Sequence, residues 1–134
     1  MSRERFLERQ SDVRASAARL SEAVAQPASE LVRDATIQRF EFTFEVTWKT
    51  LKLWLERQGH SCPSPRATLK TAFEQGLIPS AEEADVWLRM LEDRNLTSHA
   101  YDQALAGRIH GHVLEAYAGA LARMASTIAA LRWD

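Results

Sequence analysis

Between Pro27 and Gly59 apolar side chains return every three to four residues without a break, and that period commits about a quarter of the chain to one long α-helix. The helix begins near Ser29 and runs to about Gln58, with Gly59 placed to take the left-handed conformation that ends helices. Turned at about 100° per residue, Asp34, Gln38, Glu41, Glu45, Lys49, Lys52 and Glu56 fall within an arc of about 80°. That narrow polar stripe has Ile37, Phe40, Phe44, Trp48, Leu51 and Leu55 on one flank and Phe42, Val46 and Leu53 on the other. A helix apolar on two sides needs two partners. Either it is a central helix with one charged edge in water, its Glu41–Glu45, Glu45–Lys49 and Lys52–Glu56 pairs being four-residue neighbours, or its second flank packs on another protomer. In the second case Arg39, which projects away from the stripe, would find its partner in the cleft between protomers.

The rest of the chain is also helical, with no strand-like alternation longer than a few residues. A first helix spans roughly Ser2 to Ala25, carries Phe6, Val13, Leu20 and Val24 on one stripe, and stops before Pro27. The segment from His60 to Pro65 is a loop, Ser64 before Pro65 caps a short helix that ends at Gly76, and Ser80 with Glu83 forms a capping box for the helix that carries Trp87, Leu88 and Leu91. Asp102 caps the last helix, in which Leu105, Ile109, Val113, Ala116, Ala120, Met124, Ile128 and Leu131 keep the helical spacing. With 134 residues and no linker or repeat, the expected architecture is one all-α domain over 1–134, an antiparallel four-helix bundle with a short extra helix.

Composition removes several functional classes. The formal charge of -1, from 17 basic and 18 acidic residues, gives no global attraction to nucleic acid or to anionic membrane, so any phosphate contact must be local. Most of the basic residues are arginine, the side chain matched to planar recognition of carboxylate or phosphate. The single cysteine, Cys62, cannot form an internal disulfide, no run approaches the roughly 20 apolar residues of a membrane span, and the charged Met1–Arg9 is not a signal peptide. A cytoplasmic location is expected, with no membrane association. Gly-rich phosphate loops, nucleophile elbows and carboxylate clusters are missing from the sequence. His60 with Cys62 lacks further ligands, and His110 and His112 lie about 200° apart on their helix, so no metal site and no cofactor is expected; solvation or ion pairing is the default for the last two.

The densest chemistry lies in Arg94-Asn95-Leu96-Thr97-Ser98-His99-Ala100-Tyr101, which combines a permanent cation, a base that titrates near neutrality and a phenol. Spacing alone proves little, because a chain this rich in arginine meets a histidine at such a distance by chance. Five residues turn a straight helix by about 140°, so Arg94 and His99 converge only if the helix ends between them. Asn95, Thr97 and Ser98 compete for backbone hydrogen bonds and favour such an end. His99 and Tyr101 would then point the same way from an extended segment. A helix terminus whose histidine caps carbonyls and whose tyrosine packs is the plain alternative.

Long blocks of the sequence resemble a known family. Val32 to Lys52, Ser64-Pro65-Arg66, Phe73 to Ile78 and Trp87 to Asp102 are similar to the nucleotidyltransferase substrate-binding proteins of the HEPN superfamily. The resemblance implies an antiparallel helical bundle, usually a homodimer, working with a small nucleotidyltransferase encoded nearby. The Arg-x4-His-x-Tyr form of Arg94, His99 and Tyr101 also resembles that of HepT toxins, ribonucleases silenced when a nucleotidyltransferase antitoxin adenylylates the motif tyrosine. Carried onto this chain, His99 would serve as general base or acid and Arg94 would stabilise a phosphorane during metal-independent RNA cleavage, with a second protomer supplying the second proton-transfer group. Tyr101 would be the site of modification, and Asn95, Glu41, Glu45 and Lys49 a supporting polar face. The block from Arg39 to Lys52 is closer to the substrate-binding branch than to the toxins, so the expected role is a partner subunit that binds the nucleotidyltransferase and its nucleotide or presents Tyr101 to it. An endoribonuclease toxin acting on RNA is the alternative, and a plain dimerisation domain the third.

Overall fold

The structure, a computed structural model, describes residues 2–134. Six α-helices follow one another: α1 (Ser2–Val24), α2 (Glu30–Arg57), α3 (Pro65–Glu74), α4 (Ala81–Leu96), α5 (Gln103–His112) and α6 (Ala118–Ala129). A 3-10 turn, Thr97–His99, follows α4, and a π-helical segment, Val113–Tyr117, joins α5 to α6 into one rod. With no strand among the described residues, the fold is the expected bundle of four long helical members, α3 being the short addition.

The helix ends follow from local chemistry. Ser29, Ser64, Ser80 and Asp102 each accept a hydrogen bond from the backbone N–H three residues on, at 3.1 Å, satisfying a donor the first turn leaves free. At Ser80 only half of the expected capping box forms, because the Glu83 carboxylate is taken by Arg123 at 2.6 Å. Gly59 (φ 99°) ends α2 with bonds from Gly59 N–H to the Glu56 carbonyl and from His60 N–H to the Leu55 carbonyl. Gly76 (φ 81°) repeats the arrangement after α3, where any side chain would be strained.

Packing explains why α2 is central. Its Phe40 stacks on Tyr117 of the π segment with ring centroids 5.4 Å apart, and its Phe44 meets Trp87 of α4 at 6.2 Å. All four rings are fully buried, each side chain stabilising the fold by about 1.5–3 kcal/mol. The second buried side of α2 is not the expected Phe42 flank. It is a row of threonines, Thr36, Thr43, Thr47 and Thr50, sealed from solvent; three of them return their hydroxyls to the carbonyl four residues back, and Thr43 also reaches the Ser16 carbonyl of α1. Threonine offers a methyl to the core and hides its hydroxyl on its own helix, so α1 can cover this side of α2 closely. Phe42 is left 58% exposed, with Val46 and Leu53 half-buried beside it. Arg39 is corrected with that flank: it donates to the Arg19 carbonyl at 2.8 Å and lies 3.8 Å from Glu22, so both partners are on α1.

Near the chain's end, Gln10 donates to the carbonyls of Ile128 (2.7 Å) and Leu131 (3.1 Å), filling acceptors that α6 leaves open. Phe6 stacks on Trp133 at 5.2 Å, which fixes α1 beside α6.

Candidate functional site

The Arg94 motif sits where α4 stops. The Thr97 hydroxyl and the Thr97 N–H both go to the Arg94 carbonyl, the hydroxyl at 2.8 Å, and this side-chain competition tightens the chain into the 3-10 turn that ends at His99. The helix thus ends between Arg94 and His99. The segment beyond is a closed turn rather than an extended one: Ala100 N–H bonds the Thr97 carbonyl at 3.1 Å and Asp102 N–H bonds the His99 carbonyl at 3.0 Å. His99 and Tyr101 nonetheless approach edge to face, with centroids 6.0 Å apart.

Two groups result. In the first, Arg94 reaches across to the polar stripe of α2, with Nη2 3.1 Å from Glu45 and Nη1 3.8 Å from Glu41. The other oxygen of Glu45 accepts from Trp48 Nε1 at 3.1 Å and lies 3.7 Å from Lys49 Nζ. Arg94, Glu41, Glu45 and Lys49 therefore form one network, in which a carboxylate at 3.1 Å compensates the half-buried guanidinium and sets its direction. In the second group, His99 and Tyr101 are exposed, Tyr101 at 82%, and neither bonds to Arg94 or its carboxylates among the described residues. Tyr101 borders a cavity of about 290 Å³, open to solvent, whose wall is Asp34, Ile37, Gln38 and Glu41 of α2 with Thr97 and Ala100. Asn95 joins neither group; it is exposed and its side chain makes no hydrogen bond among the described residues.

Sequence reasoning missed what lies on the other face of α4. Asp93, buried and adjacent to Arg94, receives the Tyr117 hydroxyl at 2.6 Å and faces His112 Nδ1 at 2.7 Å, both on the single oxygen Oδ2. His112 and Tyr117 are five residues apart, which an α-helix would turn by about 140°. The π segment supplies the correction: its bond from Ala118 N–H to the Val113 carbonyl spans five residues and brings such positions toward one face. Burial, and next the bond to Asp93, push the Tyr117 phenol well above its usual range. His112 is thus held by a carboxylate at hydrogen-bond distance, while burial and then Arg33 lower the pKa of His110. Among the described residues no group of three His, Cys, Asp or Glu side chains is arranged to hold a metal, and no helix is long and apolar enough to cross a membrane.

Comparison with known proteins places the chain beside a family and individual relatives. The family described as nucleotidyltransferase substrate binding protein like matches residues 8–130. A protein of Thermus thermophilus known from its crystal structure is 37% identical, with a TM-score of 0.79 over 87% of this chain and 98% of that one. A curated protein of Haemophilus influenzae, named probable ribonuclease HepT, is 30% identical over 82 residues. That match covers 58% of this chain and 54% of the relative, so this chain spans about half the length of the curated protein it matches.

Proposed function

This chain belongs to the nucleotidyltransferase substrate binding protein like family, and on that premise we propose that it is the helical partner subunit of a two-component nucleotidyltransferase, presenting Tyr101 as the acceptor of an adenylate. The observation that carries the reading is the exposure of Tyr101, 82%, at the rim of the 290 Å³ cavity beside Glu41. A phenol that spends its surface on solvent has no packing role to explain it, whereas an enzyme that must bring ATP to an acceptor oxygen needs that access. In the transfer, the Tyr101 oxygen attacks the α-phosphorus of ATP, the bond to the bridging oxygen breaks, pyrophosphate leaves, and the phenolic proton passes to solvent or to a base. His99, with its ring 6.0 Å from the phenol, is a group of the right kind nearby.

The test is intact mass after co-expression with the nucleotidyltransferase encoded nearby. One added adenylate, lost in Tyr101→Phe, is the expected result. An unmodified chain recovered together with an active enzyme would remove the acceptor role, and failure of the two proteins to co-purify would remove the partnership.

A second reading has its own support in the similarity to the probable ribonuclease HepT. Here a homodimer would join two copies of Arg94 and His99, each His99 serving as acid or base on RNA and each Arg94 facing the phosphorane. Leu96, an exposed apolar side chain within the motif, suits a contact with a second copy. The partner role is preferred because Arg94 is already engaged by Glu45 and Glu41, so holding a phosphate would cost it those contacts. Growth arrest on expression without the nucleotidyltransferase, relieved by His99→Ala, would reverse that preference.

A further inference from the structure

Along the outer edge of the α1–α2 pair runs a trough separate from the Tyr101 cavity. Three adjoining hollows make it up: a central one of about 440 Å³ shares Arg9 and Lys49 with a second of about 320 Å³, and shares Arg19 and Phe42 with a third, smaller one. Six basic side chains line it, Arg5, Arg9 and Arg19 from α1 and Arg39, Lys49 and Lys52 from α2, against two acidic ones, Asp12 and Glu45. The chain as a whole is at -1, so cations have been gathered here. Salt bridges engage Arg39, Lys49 and Lys52, while Arg5, Arg9 and Arg19 have no carboxylate partner among the described residues. Two aromatic side chains stand among the cations, Phe42 at 58% exposure and the partly buried Trp48.

We propose that this trough binds single-stranded nucleic acid, its cations holding successive phosphates and Phe42 offering a face to a base. A track of unpaired arginines interleaved with aromatic rings is the physical pattern of single-strand binding, where charge follows the backbone and stacking holds the bases. Dimensions agree. From Arg5 to Arg19 the track is about 21 Å long at 1.5 Å per residue, too long for one nucleotide's phosphates. The axes of packed helices lie about 8–10 Å apart, so the furrow between them admits one strand and not a duplex. A second copy of this chain does not suit the surface, because a two-fold axis would set one arginine row against the other. The trough also leads to the motif, since Glu45 lines it with one oxygen on Trp48 and holds Arg94 with the other. This binding site is independent of adenylate transfer to Tyr101, which is read by mass, so either can fail alone.

Fluorescence anisotropy with labelled oligouridylate and oligothymidylate, titrated over a range of salt, tests it. Both strands are expected to bind at low salt. The doubly substituted Arg9→Ala/Arg19→Ala protein should bind about tenfold more weakly, with a log–log salt slope shallower by about 1.4, or about 0.7 for each phosphate that is no longer neutralised. Phe42→Ala should weaken binding by about tenfold with the slope unchanged. Lys70→Ala, which removes an exposed cation outside the trough, should change nothing. All of these side chains are at the surface, and an unchanged thermal melt confirms the fold. Absence of binding by the wild-type chain overturns the proposal, as does binding that the arginine and Phe42 variants leave intact. If Arg9→Glu/Arg19→Glu abolishes co-purification with the nucleotidyltransferase while the wild type binds no oligonucleotide, the trough is an acidic-protein docking face and the proposal is wrong.

Discussion

The Tyr117 hydroxyl donates to Asp93 Oδ2 at 2.6 Å, joining the π segment of the last helical rod to the residue that precedes Arg94. The contact is fully internal at the tyrosine, and His112 Nδ1 shares the same oxygen at 2.7 Å. Arg94 leaves α4 about 100° away from Asp93, so the carboxylate that anchors α4 inside the bundle also sets the angle at which the guanidinium leaves it.

Tyr117→Phe removes one donor and leaves Asp93 paired with His112. A loss of about 1–2 kcal/mol is expected from urea unfolding, read as a lower midpoint at unchanged slope. Asp93→Ala should cost more, about 3 kcal/mol, because it leaves a buried phenol and an imidazole unpaired and opens a void between them.

Arg94 stands between two carboxylates, 3.1 Å from Glu45 and 3.8 Å from Glu41, with its side chain 28% exposed. Such a pair lies between the surface case, worth up to about 1 kcal/mol, and the buried one. A double-mutant cycle of Arg94→Ala and Glu45→Gln should therefore give a coupling of about 1 kcal/mol that shrinks in high salt. Zero coupling at low salt would mean that the carboxylates do not hold the guanidinium, and the nuclease reading would then be the stronger of the two on that point.

His110 carries a pH dependence whose sign is fixed. Burial, and next the charge of Arg33, hold its folded pKa below the ordinary 6.5. Between the folded value and 6.5 the unfolded chain binds more protons than the folded one, so stability rises with pH across that window. The contribution is complete above 6.5 and is lost as pH falls through 6.5 toward the folded value. Thermal melts at pH values on either side of this window should differ less for His110→Gln than for the wild type.

Much of this architecture was legible because helix ends are local problems. Ser29, Ser64, Ser80 and Asp102 solve them with the side-chain oxygen beside the N–H it serves, and Gly59 and Gly76 with a backbone conformation other residues resist. The end of α4 ahead of His99 was legible for the same reason, through Thr97. Asp93 was not, since its partners lie 19 and 24 residues away and meet it only because a π segment alters the phase of the last helix. Periodicity carries no mark of that change. The threonine row is not legible because a pattern of apolar and polar types counts threonine as polar and points to the Phe42 flank instead. The contacts of Arg39 within the chain are hidden for the same reason, since only the position of α1 reveals Glu22 beside it.

That threonine row yields the sharpest stability test. Thr36, Thr43 and Thr50 each donate to the carbonyl four residues back, at 2.7, 2.7 and 2.6 Å, while the Thr47 Oγ1 is buried with no partner. Valine has nearly the same shape and a similar helix propensity, so replacing threonine isolates the hydroxyl. At position 47 the change removes an unpaired buried polar group, and Thr47→Val should stabilise the protein by about 1 kcal/mol. At position 43 the same change removes a hydroxyl bonded to the Arg39 carbonyl and 3.2 Å from the Ser16 carbonyl of α1, so Thr43→Val should cost about 1 kcal/mol. Opposite signs from two identical substitutions one turn apart, measured by chemical unfolding under the same conditions, are the expected outcome. Equal effects would mean that Thr47 finds an acceptor in solution, by a rotamer change or through a water.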